Sequence, residues 1–373
     1  MENKRLYFID NMKTTAVILM TLAAVSMCYM SAAPQLWYVT DKEQSILLTV
    51  FVLAVDVFVA PLMFFAAGYF VLHSLRERSV GAFIRRKLVR IGIPWAAGSL
   101  LIAPPVTYII LASRGVPIGF KDFYTKLFIG PAYQQAQYWY LGELLAVFFV
   151  FAAAFMLMKR FAPRRLFTVG GKWHAPLVII SAAVVAAVLS GGMMVLFPNA
   201  GLWVHPLYIL VLQPAKIPVY ALAFLLGAWG SQERWLTEDG WRPGLMWPFI
   251  AFCLMVLYIP ERLFPALYFY VSPAVNLLFT TALECVLSFS MIAAVATVFR
   301  RGFDGNGFFW RQTSPYAYGM YFASYPVVFN VVWAMRHTSL PLWPKFFIAC
   351  AASLLISWVI ARLLYLVPCF KQI

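Results

Sequence analysis

The chain is poor in everything that a soluble enzyme uses to stay in water. Only 12% of its 373 residues are charged, and 63% are apolar. Soluble domains sit near ~45–50% apolar and ~25% charged, so a water-soluble globular fold is excluded. Acidic residues are scarcer still, 14 against 29 Lys and Arg, for a net charge of +15. Histidine occurs four times, as His73, His174, His205 and His337, each at a span end or in a loop. The five cysteines, Cys28, Cys253, Cys285, Cys350 and Cys369, form no CxxC pair and no Cys/His cluster. They read as small buried hydrophobes, so neither a metal site nor a disulfide framework is expected. There is no internal repeat and no low-complexity tract.

What the chain has is apolar length. A membrane-spanning helix needs about 20 predominantly apolar residues. Ten stretches qualify as candidates: 14–33, 45–72, 91–112, 138–158, 175–197, 206–229, 244–260, 271–299, 315–335 and 343–368. The expected fold is therefore an all-α integral membrane protein, a bundle of about ten transmembrane helices, with residues 1–373 forming a single domain. The first run is too long for the h-region of a signal peptide and is expected to be retained. The longest connection, Ser113 to Gln137, has room for a short interfacial helix around Lys121–Phe128.

The positive charge is sorted by membrane side, and this orients the chain. With the N-terminus cytoplasmic, twenty Lys and Arg residues fall in inside segments and seven in outside ones. Lys216 and Arg362 lie within spans. The split predicts both termini in the cytoplasm and argues against nucleic-acid binding, because the bases do not cluster on a soluble module. Aromatic residues are expected to mark the outer boundary: Trp37, Tyr38, Tyr138 to Tyr140, Trp203, Tyr268, Tyr270 and Trp343. The localisation this implies is the cell inner (cytoplasmic) membrane, multi-pass.

Charged groups inside a span are costly and stand out as functional candidates. Asp56, Lys216 and Glu284 each lie on the order of 15–20 Å from the outer end of their spans. Glu143, in YWYLGELL, is placed nearer the outer surface. Two readings stay open for the three deep groups: Lys216 pairs with Asp56 or Glu284 to hold the bundle, or the three line a polar path to a reaction centre. Pro214 and Pro218 flank Lys216 and free backbone carbonyls there. The densest basic stretch, HSLRERSVGAFIRRKLVRIGIPW, carries six Lys or Arg between Arg76 and Arg90. Its segment Phe83–Arg90 reads as an amphipathic helix on the inner leaflet, with Phe83, Ile84 and Leu88 pointing inward. It suits anionic lipid or a polyphosphate-bearing donor such as coenzyme A. Among the histidines, His73 beside this loop is the one to test first.

At these residues the chain resembles the acyltransferase-3 family of integral-membrane acyltransferases. RLYFIDNMK resembles the family's D-x-x-R opening of the first span. FFAAGYFVLHSLRERSVGAFIRRKLVRIGIP is similar to its F-x-SGYF, R-x-x-R and G-I-P series. QYWYLGELL, VYALAFLLGAWG and SPYAYGMYFASYPVV are similar to its later segments, in order along nearly the whole chain. The resemblance implies transfer of an acyl group, of the acetyl or succinyl class, from cytoplasmic acyl-CoA to a hydroxyl of a surface or periplasmic glycan or similar acceptor. It implies no metal. The co-substrate is acyl-CoA, and the surroundings are the lipid bilayer.

The chain departs from that pattern at the reactive positions. Asp10 is kept, but Lys13 stands where the family has Arg. Lys87 replaces the first Arg of R-x-x-R, and Arg90 keeps the second. The family's first-span histidine falls on Ala23 or Ala24, and its late histidine falls on Ser324. Both positions lie about 14–15 Å into their spans, so one layer has lost both. Asp10, Lys13 and Glu284 are then the expected catalytic residues, with Glu284 as the remaining deep proton acceptor. Arg86, Lys87 and Arg90 are the expected donor-binding residues. The alternative is a catalytically lapsed family member acting as a ligand-binding or accessory membrane protein.

Overall fold

A computed structural model describes residues 6–32, 38–130, 132–161, 174–197, 201–238, 240–264 and 272–366. Among these the chain is nearly all helical and contains no strand beyond two isolated bridges. Ten long helices follow in order: α1 (Tyr7–Met27), α2 (Ile46–Tyr69), α3 (Val80–Ser113), α4 (Trp139–Phe161), α5 (Ala175–Leu196), α6 (Ile217–Gln232), α7 (Met246–Leu263), α8 (Pro273–Gly302), α9 (Ala317–Met335) and α10 (Leu342–Leu364). The protein is a multi-pass membrane bundle. Eight candidate spans have the length and apolarity to cross a bilayer on their own. The two that fall short are α6, at 16 residues, and α9, whose apolar residues are diluted by Tyr, Ser, Pro and Asn.

Glycine and proline set the packing. A Cβ on Gly68 would lie 1.9 Å from the Phe224 carbonyl oxygen, and one on Gly227 would lie 2.1 Å from that of Phe65. Helices α2 and α6 therefore cross backbone on backbone, the contact that small residues permit between membrane helices. Proline withdraws a helical hydrogen bond from the carbonyl four residues before it, and in both central helices another helix supplies the replacement. Pro61 frees the Val57 carbonyl, which accepts from Ser288 Oγ of α8 at 2.6 Å. Pro326 frees the Phe322 carbonyl, which accepts from Tyr138 Oη at 2.8 Å and from Gln137 Nε2 at 3.0 Å.

That second contact corrects the expected aromatic boundary. Gln137 and Tyr138 reach carbonyls only four and five residues beyond the start of α9. The start of α4 is thus inside the bundle, not at its outer edge. Tyr138 and Tyr140 are buried, and the Tyr138 ring lies flat against Gly98. Trp139 is partly buried and packs on Trp203 with ring centroids 5.4 Å apart. Glu143, further along α4, is buried as well. Trp37, Tyr268 and Tyr270 lie outside the described residues.

The sixth span is corrected in the same way. Residues 206–216 are apolar enough to read as helix, but they form two short 3-10 turns instead. Val204 bridges Leu212, and Gln135 Nε2 holds the Ile209 carbonyl at 2.6 Å. Helix α6 therefore begins at Ile217, directly after Lys216. In the basic loop, the expected surface helix runs without a break through π-type turns at Leu88–Gly92 into the third span. Phe83 points inward onto Phe148, as expected, whereas Leu88 is exposed. The expected short helix near Lys121–Phe128 is present as helical turns over 120–128, anchored by buried Phe123 and Phe128.

Candidate functional site

Four sequence-distant segments meet at the end of the bundle that holds the N-terminus of α1. Asn11 Nδ2 donates to the carbonyls of Phe303 (2.7 Å) and Gly305 (2.9 Å), and Thr14 Oγ1 contacts Ser314 Oγ at 3.1 Å. These bonds tie the first turns of α1 to the loop before α9. Tyr318 Oη donates to the Arg90 carbonyl at 3.0 Å and ties α9 to the basic segment of α3. The result is a cavity of about 700 Å³ walled by α1, α2, α3, α4, α9 and the short helix Val71–Arg76. That volume lies within the ~300–1,000 Å³ of small-molecule sites.

Cations ring its mouth. Lys13, Arg78, Arg86, Lys87 and Arg90 line it, against the acids Asp10 and Glu77. Lys13 Nζ pairs with Asp10 Oδ1 at 3.3 Å and stands 4.8 Å over the Phe70 ring. Lys87 Nζ stands 3.8 Å over the Phe148 ring and 5.4 Å over that of Phe83. Two aromatic faces thus hold the Lys87 side chain in the mouth. His73 Nε2 lies 3.0 Å from Glu77 Oε1 on the same rim. Further in, the wall turns to Val17, Met63, Tyr140, Leu144, Tyr318 and Tyr321. The Tyr321 hydroxyl donates to the Gln137 carbonyl and ties this wall to the turn before α4.

Of the six site residues expected from sequence, five line this one cavity: Asp10, Lys13, Arg86, Lys87 and Arg90. Glu284 does not line it. Its carboxylate is bound to Lys216 Nζ, which also lies 3.6 Å from Asp56 Oδ2. Lys216 thus joins both deep acids in one cluster, apart from the cavity. The two histidine positions are packed shut. Ala24 is 0% exposed, in an apolar cluster with Val25, Tyr29, Val328 and Phe329, and Ala23 is buried. Ser324 is buried, and its hydroxyl donates to the Tyr321 carbonyl at 2.9 Å.

The cavity also holds residues that sequence reasoning did not assign: Glu77, Arg78, Tyr140, Tyr318 and Tyr321. A signal was present for two of them. Tyr318 and Tyr321 are three apart in SPYAYGMYFASY, which puts both on one face of a helix.

A comparison with known protein families matches residues 6–362 to the acyltransferase domain of the acyltransferase-3 family. No curated protein and no solved structure matches the chain.

Proposed function

The chain belongs to the acyltransferase-3 family, and from that premise we propose that it moves an acyl group of the acetyl or succinyl class from cytoplasmic acyl-CoA to a hydroxyl of a surface or periplasmic glycan. The observation that carries this reading is the ring of five cations around a cavity with an apolar and tyrosine-lined interior. Arginine forks and an ammonium suit phosphate oxygens, and the inner walls suit an acyl chain and its thioester. Arg86, Lys87 and Arg90 hold the donor's phosphates, and the Lys13–Asp10 pair guards the mouth. In the transfer, the acceptor oxygen forms the new ester bond while the C–S bond breaks. The hydroxyl proton goes to the departing sulfur, and CoA leaves as the free thiol; Glu284, bound to Lys216 apart from the cavity, is out of reach of this step. The side on which the cations concentrate supports a cytoplasmic face for the cavity, and we assign the protein to the inner membrane on the acyltransferase reading.

A second reading has its own observation. Ala24 and Ser324 leave apolar packing and a satisfied hydroxyl where the family places histidine. On this reading the chain binds an acyl donor without transferring its acyl group and serves a partner enzyme.

Free-thiol release from acetyl-CoA and succinyl-CoA by the purified protein, with and without cell-envelope glycan, tests the first reading. Glycan-dependent release is expected. Release no higher than a detergent blank for every donor, alongside measurable donor binding, selects the second reading.

A further inference from the structure

Helix α2 runs through the middle of the bundle. From Leu48 to Tyr69 every residue is buried or half-buried except Asp56, whose side chain is 69% exposed. Asp56 lies ten residues in from the outer end of α2, about 15 Å deep at 1.5 Å per residue. A carboxylate so exposed at that depth, on a helix otherwise covered by its neighbours, faces an opening within the bundle. The broken sixth span accounts for the space, since the chain before Lys216 is folded turns rather than helix. Lys216 sits at the start of α6, between Asp56 and Glu284. Arg262 of α7 is close enough to feel both carboxylates, and Tyr258 and Tyr325 are within electrostatic reach of Asp56.

This opening is separate from the cation-ringed cavity. Tyr140, in the cavity wall, meets Phe64 edge-on at 5.1 Å, and Phe64 stacks on Tyr220 at 4.9 Å. Tyr220 lies one helical turn beyond Lys216 on the same face of α6. Beside Tyr220, Glu143 of α4 is nine-tenths buried with both carboxylate oxygens unpartnered. A buried polar group without a partner is costly and calls for a hydroxyl or a proton at this boundary.

We propose that Asp56, Lys216 and Glu284 line an outward-facing site that binds a neutral polyhydroxyl ligand, the sugar bearing the acceptor hydroxyl. The identity of the ligand as acceptor rests on the acyltransferase reading above. The chemistry favours a neutral sugar. With Glu261 beside Arg262, three carboxylates stand against Lys216 and Arg262, so the cluster does not attract an anion. Asp56, held only at 3.6 Å, offers its oxygens to O–H donors, and hydrogen bonds to a charged acceptor are the strong ones. The two ligands thus occupy opposite ends of the bundle, divided by a column of three aromatic rings that must part for them to react.

The test places cysteine at Leu53, one turn outward of Asp56 on the same face of α2, in the full-length chain with its five native cysteines replaced by alanine, reconstituted in liposomes. A membrane-impermeant maleimide should label it from the side opposite the basic segment. Neutral sugars of one to five residues should slow that labelling several-fold. Labelling from the basic side, or from neither side, overturns the site, and protection by none of the sugars overturns the ligand class. Asp56→Asn in the native chain is the second arm. It should raise the acceptor KM about tenfold, as expected for a lost hydrogen bond to a charged group, with kcat and the Kd for acetyl-CoA unchanged. An unchanged acceptor KM overturns the proposal. Labelling and sugar protection do not depend on turnover. Protection without acyl-CoA binding therefore sinks the acyltransferase reading alone, and acyl-CoA binding without labelling sinks this inference alone.

Discussion

The ring of Tyr220 stacks face to face on that of Phe64, with centroids 4.9 Å and planes 7° apart. Trp139 flanks Tyr220 at 5.9 Å, and Tyr140 closes on Phe64 from the cavity side. This column stands between the cation-ringed cavity and the Lys216 cluster, and its integrity depends on shape more than on hydrogen bonding. Tyr220→Phe keeps the stack and should leave the melting temperature in detergent nearly unchanged. Tyr220→Ala empties a buried site, and large-to-small aromatic changes cost about 3–5 kcal/mol. A clear fall in melting temperature is the expected outcome, and equal melting of both variants would show that the stack contributes nothing.

The crossing of α2 and α6 has no room for a side chain at either glycine. Gly68→Ala and Gly227→Ala both drive a methyl into a carbonyl oxygen. Each should sharply reduce the folded yield recovered by size-exclusion chromatography. Gly192→Ala, where a methyl meets nothing within 4 Å, is the matched control and should fold normally.

Donor binding should follow the cation ring. Arg86→Ala combined with Arg90→Ala should weaken acetyl-CoA binding by at least about tenfold, in line with the ~1.5–3 kcal/mol of a hydrogen bond to a charged group. Wild-type affinity should also fall as salt rises, because opposed charges at an open mouth are screened. Calorimetric titration at two ionic strengths reads both. Unchanged affinity in the double variant would leave this patch with lipid contacts only.

Near the end of the bundle away from that cavity, Lys345 Nζ meets Asp41 Oδ2 at 2.7 Å, with the side chains 2% and 1% exposed. Lys345 Nζ also lies 3.3 Å from the Arg336 carbonyl oxygen. Removing one member of so buried a pair strands the other, at about 3–5 kcal/mol. Lys345→Met alone should therefore lower the melting temperature strongly. Lys345→Met with Asp41→Asn should recover most of the loss, and a double variant no better than the single one would show that the pair is not coupled.

Restoring the family's histidine meets a packing barrier. Ala24 is fully enclosed by Val25, Val328 and Phe329, and overfilling a packed core costs about 1–3 kcal/mol or more. Ala24→His is expected to lower the melting temperature by several degrees. Ala24→Ser, close in size, should not. If Ala24→His folds as well as the native chain, the slot is a vacant pocket and not packed core.

Much of this molecule was legible one segment at a time. Long apolar runs and the one-sided Lys and Arg pointed to a multi-span bundle. The charged motifs pointed to Asp10, Lys13, Arg86, Lys87 and Arg90, which do share a cavity. Misreadings came where composition and contact disagree. Residues 206–216 are as apolar as a span, but Gln135 and the Val204–Leu212 bridge hold them as turns. Tyr138 and Tyr140 have the composition of an interfacial belt, but the carbonyls freed by Pro326 draw the segment inside. Glu284 was placed at the right depth but not in the right company.

The sequence by itself determined the solvent of this protein and the approximate number of its long helices, because these depend on composition and on a fixed rise per residue. Only the tertiary structure decided which way each group faces. That angle around the bundle is set by contacts between distant segments: two glycines that let α2 and α6 touch, two prolines whose freed carbonyls recruit α8 and the start of α4, and a lysine shared by two acids. Tyr140 meets Phe64, eight residues along α2 from Asp56 and about 12 Å away along the helix, and Phe64 and Tyr220 stack between the cavity wall and the Lys216 cluster.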